Sequence, residues 1–464
     1  RRWPRRHRRG HQRRRRGGRR ARSGDDRLAP GSDLTGTSED LRTRLLPFTL
    51  RNAARLGFYR RHWGAALAAA TGEGEPVLAQ LPTLGKDEYR EGLMWDPECL
   101  ENAAMVSHTT GTTGRVTWRH RTRAEAAVIA KLFGSRPDLR EDPRFGISIR
   151  YNRHGMEMPV PGVGTMVPVS LSEDVDVRQV LELLQVGCVL HGVRRHPSVL
   201  AGGGMDVAII ARAIVEAGFA DAAARIDRVL VGGHLPKAIR ATVERALPQA
   251  TISGHYSLAE VFGGASSLPD GSGYLTEAHV IAEVLDDDDA PTPEGSFGEL
   301  TLTEVFPFVQ AQPVIRYRTG DIVECLPCEE PWRVRFRWWG RRAHSLRDRD
   351  AWVLGEGPLA DALLAEPLVA RQLHRGQLSA SSATIGYPLV DRIEGSDGEV
   401  AGFAIGVRRD PWHLGPHLDR LLGGIRRAAS SERPGAGSLV LYRTDDQRLA
   451  PPDGVVPEGR AVPL

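Results

Sequence analysis

The spacing of apolar and polar residues divides the chain into regions, and its clearest signal lies between residues 144 and 257. Strand-like stretches, RFGISIRY and RIDRVLVGGHLP among them, are separated there by helical ones such as DVRQVLELLQVG, MDVAIIARAIVEAG and KAIRATVERALP. This alternation predicts a mainly parallel sheet with helices on its faces, and CVLHGV in the same region predicts a short buried strand. Ligands bind at the carboxyl ends of strands in such sheets, so VGGHLP and GHYSLAE are candidate site segments.

The pattern changes on either side of this region. Before it, LRTRLLPFTLRNAARLGFYRRHWGAALAAA has apolar residues three and four apart and predicts a helical stretch. From about Gly273 the chain becomes rich in strands, and DDDDAPTPEG between them predicts a solvated turn. We therefore expect an α/β fold with three parts: a basic disordered tail over residues 1–40, a large N-terminal domain over 41–339 with mainly parallel sheets and a β-rich subdomain, and a small, mobile C-terminal α+β domain over 340–464 joined by a hinge.

Composition qualifies this picture in one respect. The formal net charge is +4, but the first 22 residues carry 13 arginines and no acidic residue, which leaves −9 for the rest of the chain. An acidic body argues against specific nucleic-acid binding, and no stretch is long and apolar enough to predict a membrane span. Four cysteines do not suggest a disulfide framework. We expect a cytoplasmic protein.

The stretch SHTTGTTGRVTWRH, residues 107–120, has the most unusual composition in the chain. Glycines and hydroxyl groups followed by Arg115 suit a loop that holds an anion through backbone N–H groups, although such a cluster can also be only a turn. A Walker-type loop would run directly into a helix, whereas Val116 begins a strand-like alternation. The helix starts after Thr122, whose spacing to Glu125 is that of a capping box. The pattern predicts a hairpin tip that binds phosphate.

Four segments in this order, SHTTGTTGRVT, GHYSLAEVFG, VIRYRTGDIVE and WWGRRAHSL, resemble the motifs of the adenylate-forming superfamily. FYRRHW and LPTLGKDEYRE are similar to its phenylacetate–CoA ligase-like branch, and the resemblance extends over about residues 45–345. It implies that a carboxylic acid attacks ATP to give an acyl-adenylate and pyrophosphate, after which a thiol or amine displaces AMP. In the family the small domain rotates between these steps. Dimers are common in this branch, which makes a homodimer a further expectation.

The resemblance also implies roles for individual residues. Glu260 would bind Mg²⁺, Tyr256 would stack near adenine, and Asp321 would accept hydrogen bonds from the ribose hydroxyls. Arg341 would bind on the hinge side of ATP. The β- and γ-phosphates would be bound by residues of the first motif, namely Ser107, Thr109, Thr110, Gly111, Thr112, Thr113 and Gly114. The candidate catalytic residues are Arg115, Glu260 and Arg460.

The acid would bind in a pocket formed by two further segments, YNRHGMEMPVPG and VGGHLP, together with the end of the strand before Tyr256. The residues implied are Tyr151, His154, Met156, Met158, Gly232, Gly233, His234 and His255. A cavity lined by glycine, methionine and histidine suits a small planar acid and in particular an aromatic one. Filling the core is the alternative role for the two methionines.

The chain departs from the family pattern at several positions. Arg115 stands where the family has lysine, and the adenylation lysine near the C-terminus is absent. The segment PEGRAVPL offers Arg460 in its place, in a chain with only three lysines. Four other positions also differ from the pattern: Ser257, Ala259, Ala343 and His344.

Three functions stay open at this point. The first is an acid–CoA ligase that uses ATP, Mg²⁺ and CoA. The second keeps adenylation but passes the acyl group to an amine or a carrier protein, and the third is a degenerate relative that binds nucleotide without turnover. Cys325 and Cys328 form one CxxC pair, but a complete zinc ligand set is not evident.

Overall fold

The structure is a computed structural model. It describes residues 38–70, 78–101, 103–108, 116–134, 145–150, 165–171, 174–190, 192–261, 263–330, 332–348, 351–366, 390–394, 400–407, 415–428, 438–443 and 460–463. These residues belong to one compact unit, Ser38–Leu464. The predicted tail over residues 1–40 therefore lies outside the described residues, apart from its last three positions.

The chain begins with four helices: α1 (Ser38–Ala54), α2 (Gly57–Ala70), α3 (Lys86–Glu91) and α4 (Pro97–Leu100). The single helical stretch predicted for the first two is interrupted between Ala54 and Gly57. Helix α2 buries the aromatic side chains of its FYRRHW segment, and the hydroxyl of Tyr59 donates a hydrogen bond to the carbonyl oxygen of Pro313 at 2.7 Å. Burial of side chains of this size stabilises the fold by about 1.5–3 kcal/mol each.

A hairpin and a helix follow, as predicted: β1 (Met105–His108), β2 (Trp118–Arg121) and α5 (Arg123–Gly134). The two strands are antiparallel. The N–H of Glu125 donates to the hydroxyl oxygen of Thr122 at 3.0 Å, and the N–H of Thr122 donates to the carboxylate of Glu125. This reciprocal pair is the predicted capping box.

The middle of the chain alternates strands and helices: β3 (Phe145–Arg150), β4 (Thr165–Ser170), α6 (Asp174–Val186), β5 (Cys188–Leu190), β6 (Val193–Arg195), β7 (Val199–Gly203), α7 (Gly204–Glu216), α8 (Ala220–Arg225), β8 (Arg228–Gly232), α9 (Lys237–Ala246) and β9 (Thr251–Tyr256). Five strands form a parallel half-sheet in the order β4-β3-β7-β8-β9. The predicted α/β fold is confirmed by this half.

The short strand predicted from CVLHGV is present, but the prediction that it is buried is wrong. Within the described residues strand β5 pairs with β6 alone, in a separate hairpin, and Val189 is exposed. Gly187 and Gly192 have φ of 71° and 81°, a conformation that glycine adopts readily. The chain turns at both glycines, so the segment leaves the central sheet.

The β-rich region continues the same sheet with antiparallel strands: β10 (Ala265–Ser267), β11 (Tyr274–Thr276), β12 (Val280–Leu285), β13 (Phe297–Glu304), β14 (Tyr317–Leu326) and β15 (Arg335–Arg341). The order from the junction is β9-β10-β11-β15-β14-β13-β12. One sheet of 11 strands therefore carries a parallel and an antiparallel half. The antiparallel half packs against α1 to α3, and the parallel half packs against its own helices.

The C-terminal part contains both helices and strands, as predicted: β16 (Leu346–Asp348), β17 (Ala351–Leu354), α10 (Glu356–Leu364), β18 (Val390–Glu394), β19 (Val400–Val407), α11 (His417–Ala428), β20 (Ser438–Arg443) and β21 (Arg460–Pro463). A small sheet has the order β18-β19-β20-β21. Ala360 and Leu364 of α10 pack into the core of the parallel half. The domain boundary at residue 340 stays a prediction.

Candidate active site

Three parallel strands end side by side at one edge of the sheet. Gly203, Gly232 and His255 lie opposite one another at the ends of β7, β8 and β9. Gly233 follows with φ of 80°, and its N–H donates to the carbonyl oxygen of His255 at 3.3 Å. The turn places His234 beside the same edge. The two segments proposed from topology alone therefore meet.

Asp321 in β14 lies at the centre of a cluster of hydrogen bonds. Its side chain is fully buried, and the Tyr256 hydroxyl donates to Oδ2 at 2.6 Å. Nε1 of Trp338 donates to Oδ1 at 3.0 Å, and Nε of Arg341 lies 3.0 Å from the same oxygen. The structure thus brings together three residues singled out in the sequence and adds Trp338.

A bulge between β14 and β15 explains how two donors reach one carboxylate. Asp321 lies opposite Arg341, and Val323 lies opposite Trp338. Two steps along β14 therefore match three along β15, and Trp339 is the extra residue. The bulge places both Trp338 and Arg341 on the face of Asp321. The side chain of Trp339 packs in a small apolar cluster with Phe297, Ile322 and Trp352.

The surroundings of the Asp321 cluster fix the charge of its members. Burial raises the pKa of Tyr256 well above its usual value, and the charge of Asp321 adds to the effect. The charge of Asp321 also raises the pKa of Arg341, against the effect of burial. Burial, together with the smaller effect of the charge of Lys237, lowers the pKa of His234 to about 4. At neutral pH the tyrosine and the histidine are neutral, and the arginine is a cation.

Glu260 lies near this cluster and is linked to the hairpin through two tyrosines. Its side chain is buried, and Oε1 accepts a hydrogen bond from the hydroxyl of Tyr317 at 3.1 Å. The ring of Tyr317 packs edge-on against that of Tyr89, with centroids 5.8 Å apart. The hydroxyl of Tyr89 lies 3.0 Å from the carbonyl oxygen of Trp118 in β2. The base of the hairpin and Glu260 are therefore held by one continuous set of contacts.

Lys86, the first residue of α3, is a further candidate that the sequence motifs did not single out. Burial lowers the pKa of Lys86, and the nearby charges of Glu260 and Asp321 oppose that effect. A cation therefore lies close enough to both carboxylates to feel their charge. Its only signal in the sequence was the segment LPTLGKDEYRE, which suggested the family but no role for the lysine.

The hairpin is anchored by a buried ion pair beneath it. Arg119 of β2 is fully buried, with Nη2 at 3.0 Å from Oε2 of Glu304 and Nη1 donating to the carbonyl oxygen of Gln312. Ser107 lies opposite Arg119 in β1. Its hydroxyl is buried and has no hydrogen-bond partner within the described part of the chain. An unsatisfied hydroxyl at the end of β1 fits a ligand that supplies an acceptor.

Several predicted residues cannot be placed at the site. Arg460 begins β21, opposite Leu441 in the small sheet. The remaining ones lie outside the described residues: Thr109, Thr110, Gly111, Thr112, Thr113, Gly114, Arg115, Tyr151, His154, Met156 and Met158.

The described residues do not form a self-sufficient metal site. No group of three or more histidine, cysteine, aspartate or glutamate side chains among them is arranged to hold a metal ion. Magnesium is commonly held by one or two carboxylates together with substrate phosphates. Glu260 fits that mode of binding as a single carboxylate. No helix within the described ranges is long and apolar enough to cross a membrane.

Comparisons with known proteins identify relatives in sequence and in fold. No family model matches the chain. The phenylacetate-coenzyme A ligase of Escherichia coli (strain K12) is 26% identical over 307 residues, with 62% of this chain and 67% of that protein covered. An open conformation of 2-hydroxyisobutyryl-CoA ligase, in complex with 2-HIB-AMP and CoA, has a TM-score of 0.59 at 16% identity and covers 86% of this chain and 88% of its own. The anthranilate CoA ligase AuaEII, in complex with anthranoyl-AMP, has a TM-score of 0.50 at 14% identity and covers 75% and 64%. The resemblance drawn from the four motifs is confirmed by the phenylacetate-coenzyme A ligase as a relative in sequence and by the fold shared with the two ligase structures.

Proposed function

We propose that this chain, a member of the adenylate-forming superfamily by motifs, fold and sequence relationship, uses ATP to convert a small, aromatic carboxylic acid into an acyl-adenylate. The acyl group then passes to CoA. The observation that carries the proposal is the Asp321 cluster, in which a buried carboxylate, a tyrosine and an arginine meet close to the strand ends of the parallel half. A related ligase that acts on phenylacetate supports the same chemistry.

The nucleotide binds along the line from Asp321 to the hairpin. Asp321 accepts hydrogen bonds from the ribose hydroxyls, which a carboxylate can do with two acceptor oxygens. The triphosphate extends towards residues 107–115, where Ser107 offers its unpaired hydroxyl and Arg115 a positive charge. Lys86 contributes a second cation near Glu260.

In the first step a carboxylate oxygen of the acid attacks the α-phosphorus, and the bond to pyrophosphate breaks. The step depends on positioning and on neutralisation of phosphate charge, for which Arg115, Lys86 and Arg341 are the proposed cations. Mg²⁺, held by Glu260 and phosphate oxygens, would neutralise further negative charge on the leaving pyrophosphate. Arg460 is proposed to approach the site by rotation of residues 340–464 about a hinge beside Arg341.

The acid binds at the ends of β8 and β9. Gly232 and Gly233 have no side chains there, which leaves room for a planar ring, and His234 and His255 border them. Burial lowers the pKa of His255 as it does for His234, so both rings are neutral. Nε2 of His234 is buried and has no hydrogen-bond partner among the described residues. It is available to a polar group of the acid. Tyr151 and the segment from His154 to Met158 complete the proposed pocket.

The test is pyrophosphate release from ATP with a panel of aromatic and aliphatic acids, followed by AMP release on addition of CoA, amines or a carrier protein. The proposal expects pyrophosphate with aromatic acids and AMP release with CoA. Release of AMP only with an amine or a carrier protein would support the second function named above, in which the acyl group passes to one of these acceptors. Nucleotide binding without pyrophosphate release under any condition would leave a non-catalytic relative. A homodimer and a cytoplasmic location stay predictions.

A further inference from the structure

The Asp321 carboxylate has no exposed surface and is surrounded by three polar partners. Its exposed fraction is 0%, it accepts hydrogen bonds from Tyr256 and Trp338, and Nε of Arg341 lies 3.0 Å from Oδ1 as an ion pair. The two hydroxyls of a ribose must each reach an oxygen of the carboxylate to bind it. Because the carboxylate is already covered, a nucleotide that is to bind Asp321 through both hydroxyls must displace one of these partners.

Two of the three partners of Asp321 are held firmly. Arg341 forms an ion pair with the buried carboxylate, and breaking such a pair costs several kcal/mol. The Tyr256 ring is 6% exposed and packs edge-on against Phe336, with centroids 5.5 Å apart, so its hydroxyl cannot leave without repacking of the core.

Trp338 is held less firmly. Its side chain is partly exposed, its donor group is neutral, and its ring lies against His234 with centroids 4.8 Å apart. Displacement of the indole breaks one hydrogen bond but separates no pair of opposite charges, so it costs less than displacement of Arg341. Trp338 is thus the donor that a ribose hydroxyl can replace at the lowest cost.

We propose that Trp338 determines sugar specificity by occupying the place of one ribose hydroxyl on Asp321, from which the nucleotide displaces it. This inference rests on the proposed function. The native protein exchanges one hydrogen bond from a neutral donor to Asp321 for another when ATP binds. The hydroxyl therefore adds little to affinity, and the site distinguishes weakly between ATP and an analogue that lacks it. The indole keeps the buried carboxylate satisfied when no nucleotide is bound.

The variant Trp338→Phe keeps the ring and removes the donor. We expect KM for ATP to fall about tenfold with kcat little changed, because no indole bond to the charged carboxylate has to be broken. KM for the deoxy analogue that lacks the displacing hydroxyl should not fall. The ratio of kcat/KM between ATP and the poorer of 2′-deoxy-ATP and 3′-deoxy-ATP, measured by pyrophosphate exchange, should therefore rise about tenfold, the effect of one hydrogen bond to a charged group.

Trp339→Phe is the matched control, since that residue lies next in the chain but packs on the other side of the strand. It should leave the nucleotide ratio unchanged. An unchanged ratio in Trp338→Phe, with ATP still used, would overturn the inference and leave the proposed function intact. If neither the native protein nor the variant binds ATP or AMP, both fail.

A measurement on the native protein covers the case in which the variant does not fold. In a crystal structure with AMP bound, the inference expects the Trp338 indole nitrogen to lie beyond hydrogen-bond distance of Asp321 and a ribose hydroxyl to lie within it. An indole bond retained beside the bound ribose would overturn the inference.

Discussion

Two buried carboxylates on neighbouring strands, Glu304 at the end of β13 and Asp321 in β14, are each paired with an arginine but have different surroundings. Glu304 lies 3.0 Å from Nη2 of Arg119, and both side chains are fully buried. Asp321 is as deeply buried, but its partner Arg341 leaves 39% of its side chain exposed. The first pair is closed inside the protein, and the second can be reached from the surface.

This difference favours a structural role for the Glu304 pair and agrees with the binding role proposed for Asp321. A ligand cannot approach the Glu304 pair unless the hairpin detaches from the sheet, so the pair can only hold β2 in place. The partners of Asp321 include a partly exposed arginine and a partly exposed tryptophan, which a ligand can meet or replace. Burial of charge alone therefore does not mark a functional site; an exposed partner is also needed.

The largest effect is expected on stability, from a change in the closed pair, Arg119 and Glu304. Arg119→Met leaves the Glu304 carboxylate buried beside only one more distant arginine, Arg121, at 3.7 Å. We expect a loss of about 3–5 kcal/mol in the free energy of unfolding, measured by urea denaturation. The double variant Arg119→Met, Glu304→Leu should recover much of this loss, because neither charge is then buried alone. A single variant within 1 kcal/mol of the native protein would contradict a structural role for the pair.

The open pair, Asp321 and Arg341, should respond in activity more than in stability. Asp321→Asn removes the proposed charged acceptor for the ribose, and we expect pyrophosphate exchange to fall about thirtyfold, the effect of the one hydrogen bond to a charged group that the nucleotide gains net. The unfolding free energy should fall less than in Arg119→Met, because the side chain of Arg341 can reach water. Glu304→Gln is the matched control, with the larger effect on stability. The comparison fails if Asp321→Asn destabilises the protein but spares exchange in the folded fraction.

Beside the open pair, acid pH should act through His234. Its pKa in the folded protein is lowered to about 4, so between pH 6.5 and 4 the unfolded chain binds a proton that the folded protein does not. Stability is therefore lost as the pH falls through this range, by about 2 kcal/mol after allowance for partial exposure. The variant His234→Phe keeps a ring against Trp338 and should show a flatter pH profile. His62→Phe, at an exposed position, is the control and should not change the slope.

The sequence predicted the parts of these regions that depend on local spacing. The hairpin and the helix start after it were predictable, because alternation and the Thr122–Glu125 capping box are local signals. The meeting of Tyr256 with Asp321 followed from the order of family motifs and the rule of strand ends. The roles of these residues stay predictions.

The features that could not be predicted depend on contacts between residues far apart in the sequence, and such contacts leave no local signal. Arg119 pairs with a carboxylate 185 residues away, and a charged residue in a short strand would ordinarily be placed on the surface. Trp338 reaches Asp321 only because a bulge at Trp339 shifts the register. The sequence WWG does not indicate which of the two tryptophans forms the bulge. The turn predicted for residues 286–289 is exposed, as predicted, but its ion pairs with arginines from β14 and from the segment after β15 had no local signal.

A smaller effect on activity is expected from Lys86, the cation near Glu260 and Asp321. Lys86→Met removes a positive charge near Glu260 and Asp321 while keeping much of the side-chain volume. We expect KM for ATP to rise about tenfold through the loss of one attraction to phosphate, with little change in unfolding free energy. Lys237→Met is the control, because Lys237, like Lys86, is the first residue of a helix. Equal KM values for the native protein and Lys86→Met would exclude a phosphate contact.

The smallest effect is expected where both members of an ion pair are exposed. Asp287 accepts from Nη2 of Arg342 at 2.7 Å and also pairs with Arg347, and each of these side chains is more than a quarter exposed. We expect Asp287→Asn to lower the unfolding free energy by less than about 1 kcal/mol, because solvent and side-chain entropy weaken such pairs. The loss should shrink further at 1 M salt, where the screening length is about 3 Å, whereas the loss in Arg119→Met should hardly change. A salt-insensitive Asp287→Asn, or a salt-sensitive Arg119→Met, would mean that exposure does not separate the two kinds of pair in this protein.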